Sequence, residues 1–441
     1  MRNRPYSSRS LNAFPPRISQ RSAIRSSVRR TSALLTMRLE FESTTAGNRP
    51  SHRFTTLACP MPLTGVRVLD LSRLLPGPFA TMILAGLGAE VIKVEDLDGG
   101  DYMRWMPPLQ DGTAAMFTAI NRDKRSLRLD LKSARGRELF LDLVARSHVV
   151  LESFRPGVMD RLGLGAAALH ARNPRLVICS ISGFGQDGPD RLRAGHDLNY
   201  LARGGVLSIS GAPDAAPAIP GVQMADLGGG AQSAVIAMLA ALRRAEQTGT
   251  GSHCDVSMLD GMLSWMSPHI AAAQSGSTAG PSAMLLNGAH PCYHVYRCAD
   301  GWITVAALEP KFWARLCALL GVEDLRDSAF ATGTEADHAV ERLEGVFRGA
   351  TRAQWRERLG VEDACFEPVL TIAELLEDPQ VRHRAQEVDG SPVWFPFRVG
   401  AQAHAPTGPA PGYGAHSRAL LAEIGVGDAE WAQLVNDRVT A

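Results

Sequence analysis

The stretch VRVLDLSRLLPGPFATMILAGLGAEVIKV, residues 66–94, decides the fold. Val66-Arg-Val-Leu-Asp-Leu71 reads as a strand, and Glu90-Val-Ile-Lys-Val94 as a second one. Between them Pro76-Gly-Pro-Phe79 starts a helix that runs through Gly86. Proline fits a first helical turn, where its missing N–H costs nothing. The β-α-β alternation continues with a helix over 135–147, a strand at Val149-Val-Leu151, a helix over 157–171 and a strand at Leu176-Val-Ile-Cys-Ser180. Strands alternating with helices predict an α/β fold with a mostly parallel, Rossmann-like sheet covered on both faces. No GxGxxG follows the first strand, so the dinucleotide-binding version of that fold lacks its phosphate loop.

Outward from this unit, a glycine-rich junction spans 204–230 and leads into a long apolar helix from about 228 to 246. The predicted organisation is a large domain over 61–256, a linker helix and connector over 257–292, a smaller α/β domain over 293–392, and a C-terminal segment over 393–441 that returns to the large domain. That last segment holds a Pro/Gly-rich stretch (405–414) and an amphipathic helix from Ser417 to Ile424. Upstream, the first 36 residues carry eight arginines, eight serines and no acidic residue. They lack the apolar core of a secretory signal and read either as an organellar transit peptide or as sequence ahead of a start at Met61. With so few apolar residues, 1–60 are expected to be disordered.

The 441 residues exceed one compact core of usual size. Apolar residues make up 45% and charged residues 21%, an ordinary soluble balance, and the net charge of +1 argues against general nucleic-acid binding. No uninterrupted apolar run has the length of a membrane-spanning helix, so a membrane partner is not expected either. The expected setting is cytoplasmic, or the mitochondrial matrix if the N-terminal extension is a transit peptide. Seven cysteines without a CxxC pair suggest buried reduced thiols, and no metal site is expected.

Three acid-base positions sit beside unusual backbone chemistry. His196 lies in Gly195-His-Asp-Leu-Asn-Tyr200, where a lone histidine beside an aspartate is most often structural. Asp226 precedes Gly228-Gly-Gly230 at the start of the apolar helix, where it could simply cap. Three glycines exceed what a cap needs; they allow close approach at a helix N-terminus, where negative charge is stabilised. Glu309 ends a strand (Trp302-Ile-Thr-Val305) in the context Ala306-Ala-Leu-Glu-Pro310.

Taken with LSRLLPGPFA (71–80), GAEVIKVE (88–95), NRDKRSLRLDLK (121–132), ESFRPGVMDRLGLG (152–165), SGFGQDGP (182–189), YRCADG (296–301) and the stretch Asp363–Leu370, these motifs resemble the family III CoA-transferases (CaiB/BaiF-like) and, among them, the alpha-methylacyl-CoA racemases. The resemblance covers roughly 61–441. It implies an interlocked homodimer with sites between one subunit's large domain and the other's small domain. It implies acyl-CoA as substrate, with no separate cofactor. It makes His196 and Asp226 a two-base pair and has Glu309 orient the His196 ring by a hydrogen bond. Backbone N–H groups near Asp197 and Gly228 become oxyanion or orienting groups. CoA contacts fall on Leu129, Asp130, Leu131, Lys132, Ser153, Phe154, Arg155, Arg161, Gly195, Asn199 and Tyr200.

The chemistry asks for such residues. Inverting the α-carbon of a 2-methylacyl thioester removes a proton from one face and returns one to the other, so two groups must act as acid or base near neutral pH. Histidine suits unmodified; Asp226 needs its pKa raised by burial and neighbours. A CoA-transferase would instead use Asp226 as a nucleophile, and a catalytically silent relative would only bind acyl-CoA. GHD-x-NY is the racemase form. Two features depart from it: Asp96 stands where the racemases have an arginine, and VEDLDGGD (94–101) looks more like the transferase branch. His290 and Cys292 replace small or aromatic residues and are expected to reshape the acyl pocket.

Overall fold

The computed structural model describes residues 61–277, 279–388, 391–399, 406 and 408–441; the N-terminal extension read from sequence lies outside the described residues. Six parallel strands form the main sheet: β1 (Arg67–Asp70), β2 (Glu90–Glu95), β3 (Arg125–Arg128), β4 (Val149–Glu152), β5 (Val177–Ser182) and β6 (Ser252–Ser257). Their order across the sheet is β3-β2-β1-β4-β5-β6. The chain winds outward from β1 to β3 and then returns to the other side of β1. The sheet therefore has a topological switch between β1 and β4, where open α/β sheets leave a crevice at the carboxyl ends of the strands.

The inner strands are buried on both faces, as crossover helices require, while the edge strand β6 exposes His253 and Asp255. One face packs Val68, Leu151 and Cys179 under the helices Pro76–Gly86 and Ser233–Thr248. The other packs Leu69, Ile92, Leu127, Val150 and Ile178 against Leu139, Phe140 and Leu143 of the helix Ala134–Val144. This second core also takes in Leu420, Leu421 and Leu434 from two C-terminal helices, Ser417–Glu423 and Asp428–Asn436. Sequence reading gives only the first of these two. The return is fixed by backbone as well as packing: Asp130 N–H donates to Val439 O, and His416 N–H to Ser126 O.

The helix expected over 157–171 is broken into Val158–Arg161 and Ala166–Arg172. Gly163 between them adopts φ +71°, a left-handed conformation that ends a helix. The apolar helix begins earlier than expected, as a π-helix over Ala225–Gln232 continuing into Ser233–Thr248. By length and composition Ala225–Thr248 could cross a membrane, although no uninterrupted apolar run is present. Ala234, Val235, Met238, Ala241 and Leu242 instead bury in the core beside β5 and β6.

Residues 293–368 build a small lobe around a three-stranded antiparallel sheet, Tyr293–Arg297, Trp302–Ala306 and Phe366–Pro368. Its own core centres on Tyr296, Trp313, Phe347 and Trp355. The helix Met258–Gln274 precedes it in the chain.

Candidate active site

The crevice at the switch between β1 and β4 is occupied by a cleft of about 490 Å³. Arg73 and Leu74, just beyond β1, form part of its wall, as do Ser153, Phe154 and Arg155, just beyond β4. His196 and Asp226 both line it, with Gly195, Asn199 and Tyr200. The two candidate bases come from different elements. His196 is the residue before the helix Asp197–Arg203, with extended backbone (φ −132°, ψ 175°), and its N–H donates to Asn199 Oδ1 at 3.0 Å. Asp226 is the second residue of the π-helix.

Asp197 ties these elements together. Its Oδ1 accepts the N–H groups of Ala225 (2.7 Å) and Asp226 (3.1 Å). The side chain, rather than only the backbone considered from sequence, thus supplies the link. The link places one carboxylate beside another. Burial, reinforced by the Asp197 charge, pushes the Asp226 carboxyl up to about 7. Asp226 makes no side-chain cap at this helix start, so simple capping does not explain it.

Tyr200 closes the back of the cleft. Its ring stacks edge-on against Phe184 at 5.3 Å, and a Cβ on Gly183 or Gly195 would lie only 2.5 or 2.8 Å from it. Burial first, and then the nearby Asp226 charge, pushes its hydroxyl up to about 12, which leaves it a proton donor at neutral pH.

The glycine triplet has a different use from the one expected. A Cβ on Gly228 would lie 2.1 Å from Trp265, and one on Gly229 2.7 Å from Met258 O. What approaches this backbone is the helix Met258–Gln274, and Gly228 does not line the cleft. The close approach expected at this helix start is made at Gly228 by helix packing.

A second cleft, of about 720 Å³, adjoins the first through Arg73 and Phe154, which line both. Leu129, Asp130, Leu131 and Lys132 line it, with Val94 to Asp98. Asp96, where the resemblance expects an arginine, accepts an ion pair from Arg73 at 2.6 Å. Of the remaining expected CoA contacts, Ser153 and Arg155 line the first cleft, and Arg161 lines neither. Arg161 ends the short helix Val158–Arg161 and is exposed.

Sequence reading overlooked Arg73, Tyr102, Arg191 and Arg193 in the first cleft. Arg73 had a legible signal, its place directly after the first strand; Tyr102 is brought in by the 3-10 helix Tyr102–Trp105, and Arg191 and Arg193 by a loop. Among the described residues neither Arg155 nor Arg191 has an ion-pair partner, which leaves two guanidinium groups to meet an anion.

Glu309 does not reach His196 within one chain. It precedes the helix Pro310–Leu320 in the small lobe, and its carbonyl accepts from Phe312 and Trp313. Among the described residues no hydrogen bond joins Glu309 to His196, so the orienting bond expected from sequence is not made inside the chain. His290 bonds Ala331 O and Cys292 is buried in the small-lobe core; neither lines the cleft.

Residues 63–417 match the family model described as CoA-transferase family III. The chain belongs to CoA-transferase family III. Among curated relatives, family members of two kinds are similar to it. Alpha-methylacyl-CoA racemase of Mus musculus is 36% identical over 387 residues, covering 86% of this chain and 97% of that protein. Succinate--glutarate CoA-transferase of Agrobacterium fabrum is 37% identical over 348 residues, covering 74% and 85%. Among solved structures, a CAIB/BAIF family protein from Brucella suis superposes with a TM-score of 0.73 at 34% identity, covering 83% of this chain and all of that one. The family therefore holds both chemistries at similar distance from this chain, and the choice between them rests on the site.

Proposed function

We propose that this family III member is a racemase that inverts the α-carbon of 2-methylacyl-CoA thioesters by two-base proton transfer. The observation that carries this reading is the pairing in one cleft of His196 with an aspartate whose carboxyl is held near 7. One base removes the α-proton, the thioester carbonyl becomes an enolate, and the other group returns a proton to the opposite face. A carboxyl that ionises near neutral pH can serve as base for one enantiomer and acid for the other. The arginines of the cleft and Lys132 suit the phosphates of CoA, and the acyl-CoA is itself the substrate.

The second reading is a CoA-transferase in which Asp226 attacks a thioester. The VEDLDGGD stretch and the transferase relatives favour it. A nucleophilic carboxylate must be ionised, however, and raising its pKa to about 7 works against that role at neutral pH. We further propose a homodimer in which Glu309, unconnected to His196 in its own chain, serves the site of a second copy.

The deciding experiment incubates a 2-methylacyl-CoA in D2O without any acceptor acid and follows α-deuterium by mass spectrometry. Exchange with loss of optical activity is expected. Turnover that requires a free carboxylic acid would replace this reading with the transferase, and no turnover under either condition with a second acid present would leave acyl-CoA binding alone.

A further inference from the structure

The strip Ser153-Phe154-Arg155 lines the first cleft, and Phe154 lines both, so the placement of this strip sets how the two clefts join. The strip hangs from Glu152, the last residue of β4, which is only 4% exposed. Glu152 Oε2 accepts the Phe154 N–H at 2.7 Å. Glu152 also accepts from the Ser180 hydroxyl on the neighbouring strand, its register partner. Ser180 Oγ in turn lies 2.9 Å from His253 Nε2 on β6, and His253 is exposed. The charged groups facing Glu152 are Asp160, on the helix after the strip, and Asp255, on β6. No cation is among them. A buried carboxylate without a cation is costly to keep unless its hydrogen bonds serve a purpose.

We infer that Glu152 is a positioning residue for acyl-CoA binding, holding the Ser153-Phe154-Arg155 strip through the Phe154 N–H and being held itself by Ser180 and His253. The carboxylate does not touch the reacting atoms; it fixes the backbone that carries Arg155 toward the first cleft. Leu74, across the switch, is fixed in the same way, its N–H held by the buried Asp101 at 3.1 Å. On both walls of the crevice a loop N–H is thus accepted by a buried acid, Glu152 at the end of β4 and Asp101 in the segment that follows β2. The inference rests on the acyl-CoA reading of the clefts but is indifferent to whether the reaction is racemisation or CoA transfer.

The test measures the Kd of a non-reactive acyl-CoA thioether by calorimetry, together with kcat at saturating substrate. Glu152→Ala should weaken binding about tenfold, the worth of one backbone hydrogen bond to a charged acceptor, while kcat stays within about threefold. Glu152→Gln keeps an oxygen facing the Phe154 N–H and should restore Kd to within about threefold of the parent. Should the alanine variant fail to fold, Glu152→Asp keeps the charge but withdraws the oxygen by one methylene, and it too must weaken Kd while sparing kcat. An unchanged Kd in the alanine or aspartate variant overturns the inference. So does a glutamine variant as weak as alanine, or an equal fall of kcat and affinity. Because the ligand is unreactive, these outcomes stand apart from any failure of the D2O experiment.

Discussion

Four carboxylates, at the carboxyl ends of β1, β2 and β4 and in the first turn of the π-helix, meet opposite fates. Asp70 and Glu95 are held below the ordinary carboxylate range, whereas Glu152 and Asp226 are both pushed up to about 7. Burial is the largest influence on all four, and in every case it acts upward. The difference lies in what faces them. Asp70 has Lys93 and Lys124 beside it, with hydroxyl donors from Ser72 and Thr81. Glu95 receives a two-pronged bond from Arg104, at 2.8 and 2.7 Å, and a hydroxyl from Ser126. Asp226 faces Asp197, and Glu152 faces Asp160 and Asp255. The acids with cations beside them are held ionised; of the two without, Asp226 lines the cleft, where a group that titrates near 7 is of use, and Glu152 lies behind the strip that lines it.

The largest expected effect breaks the site side of that contrast. Asp226→Asn and His196→Ala should each lower racemisation by about 10²- to 10⁴-fold, since inversion needs both groups. Each variant should keep some exchange of the α-proton of one enantiomer, with opposite preference. Near-normal racemisation in His196→Ala beside a dead Asp226→Asn would leave the aspartate as sole catalyst and the histidine as a structural residue.

The fold side is broken by Lys93→Met. Lys93 Nζ lies 2.9 Å from Asp101 Oδ2, and both side chains are fully buried. Removing one partner strands the other charge, at a cost of about 3–5 kcal/mol measurable by denaturant unfolding. Unchanged stability would show that this network is not what holds the two walls of the crevice.

The pH dependence of stability sharpens the comparison, with opposite signs on its two sides. Glu95 has a lowered folded pKa, so its contribution is present above the unfolded value and is lost as pH falls below about 4.5. Glu152 has a raised folded pKa, so the fold loses stability as pH rises from about 4.5 to about 7. Glu152→Gln should remove that loss, a gain of no more than about 3 kcal/mol at pH 8, read from unfolding at pH 5 and pH 8. A variant whose stability tracks the parent at both pH values would place Glu152 among the paired acids.

The smallest effect belongs to Asp197→Asn, which removes the like charge but leaves burial in place. Because burial is the larger cause, the Asp226 limb of the kcat profile should move to lower pH by less than about one unit. A shift toward higher pH, or none, would mean that Asp197 does not act on Asp226 through charge.

The sequence by itself determined the parallel α/β sheet, because apolar strands and capped helices are local patterns that repeat along the chain. It also singled out His196, Asp226 and Asp197, since each sits in a short motif with recognisable turn or glycine chemistry. It could not place partners that come from far along the chain. The glycine triplet reads locally as an opening for a ligand, yet what fills the space is Trp265 and Met258, some thirty residues on. Glu309 reads as a companion of His196 but stands exposed at the start of a small-lobe helix, with no hydrogen bond to His196 among the described residues. Only the tertiary structure decided that β4 lies beside β1, and that adjacency creates the crevice, gathers Arg73 with Arg155 and buries Glu152 behind the strip. Strand order and burial are sums over distant contacts, and the pKa of a carboxyl follows from them rather than from its neighbours in sequence.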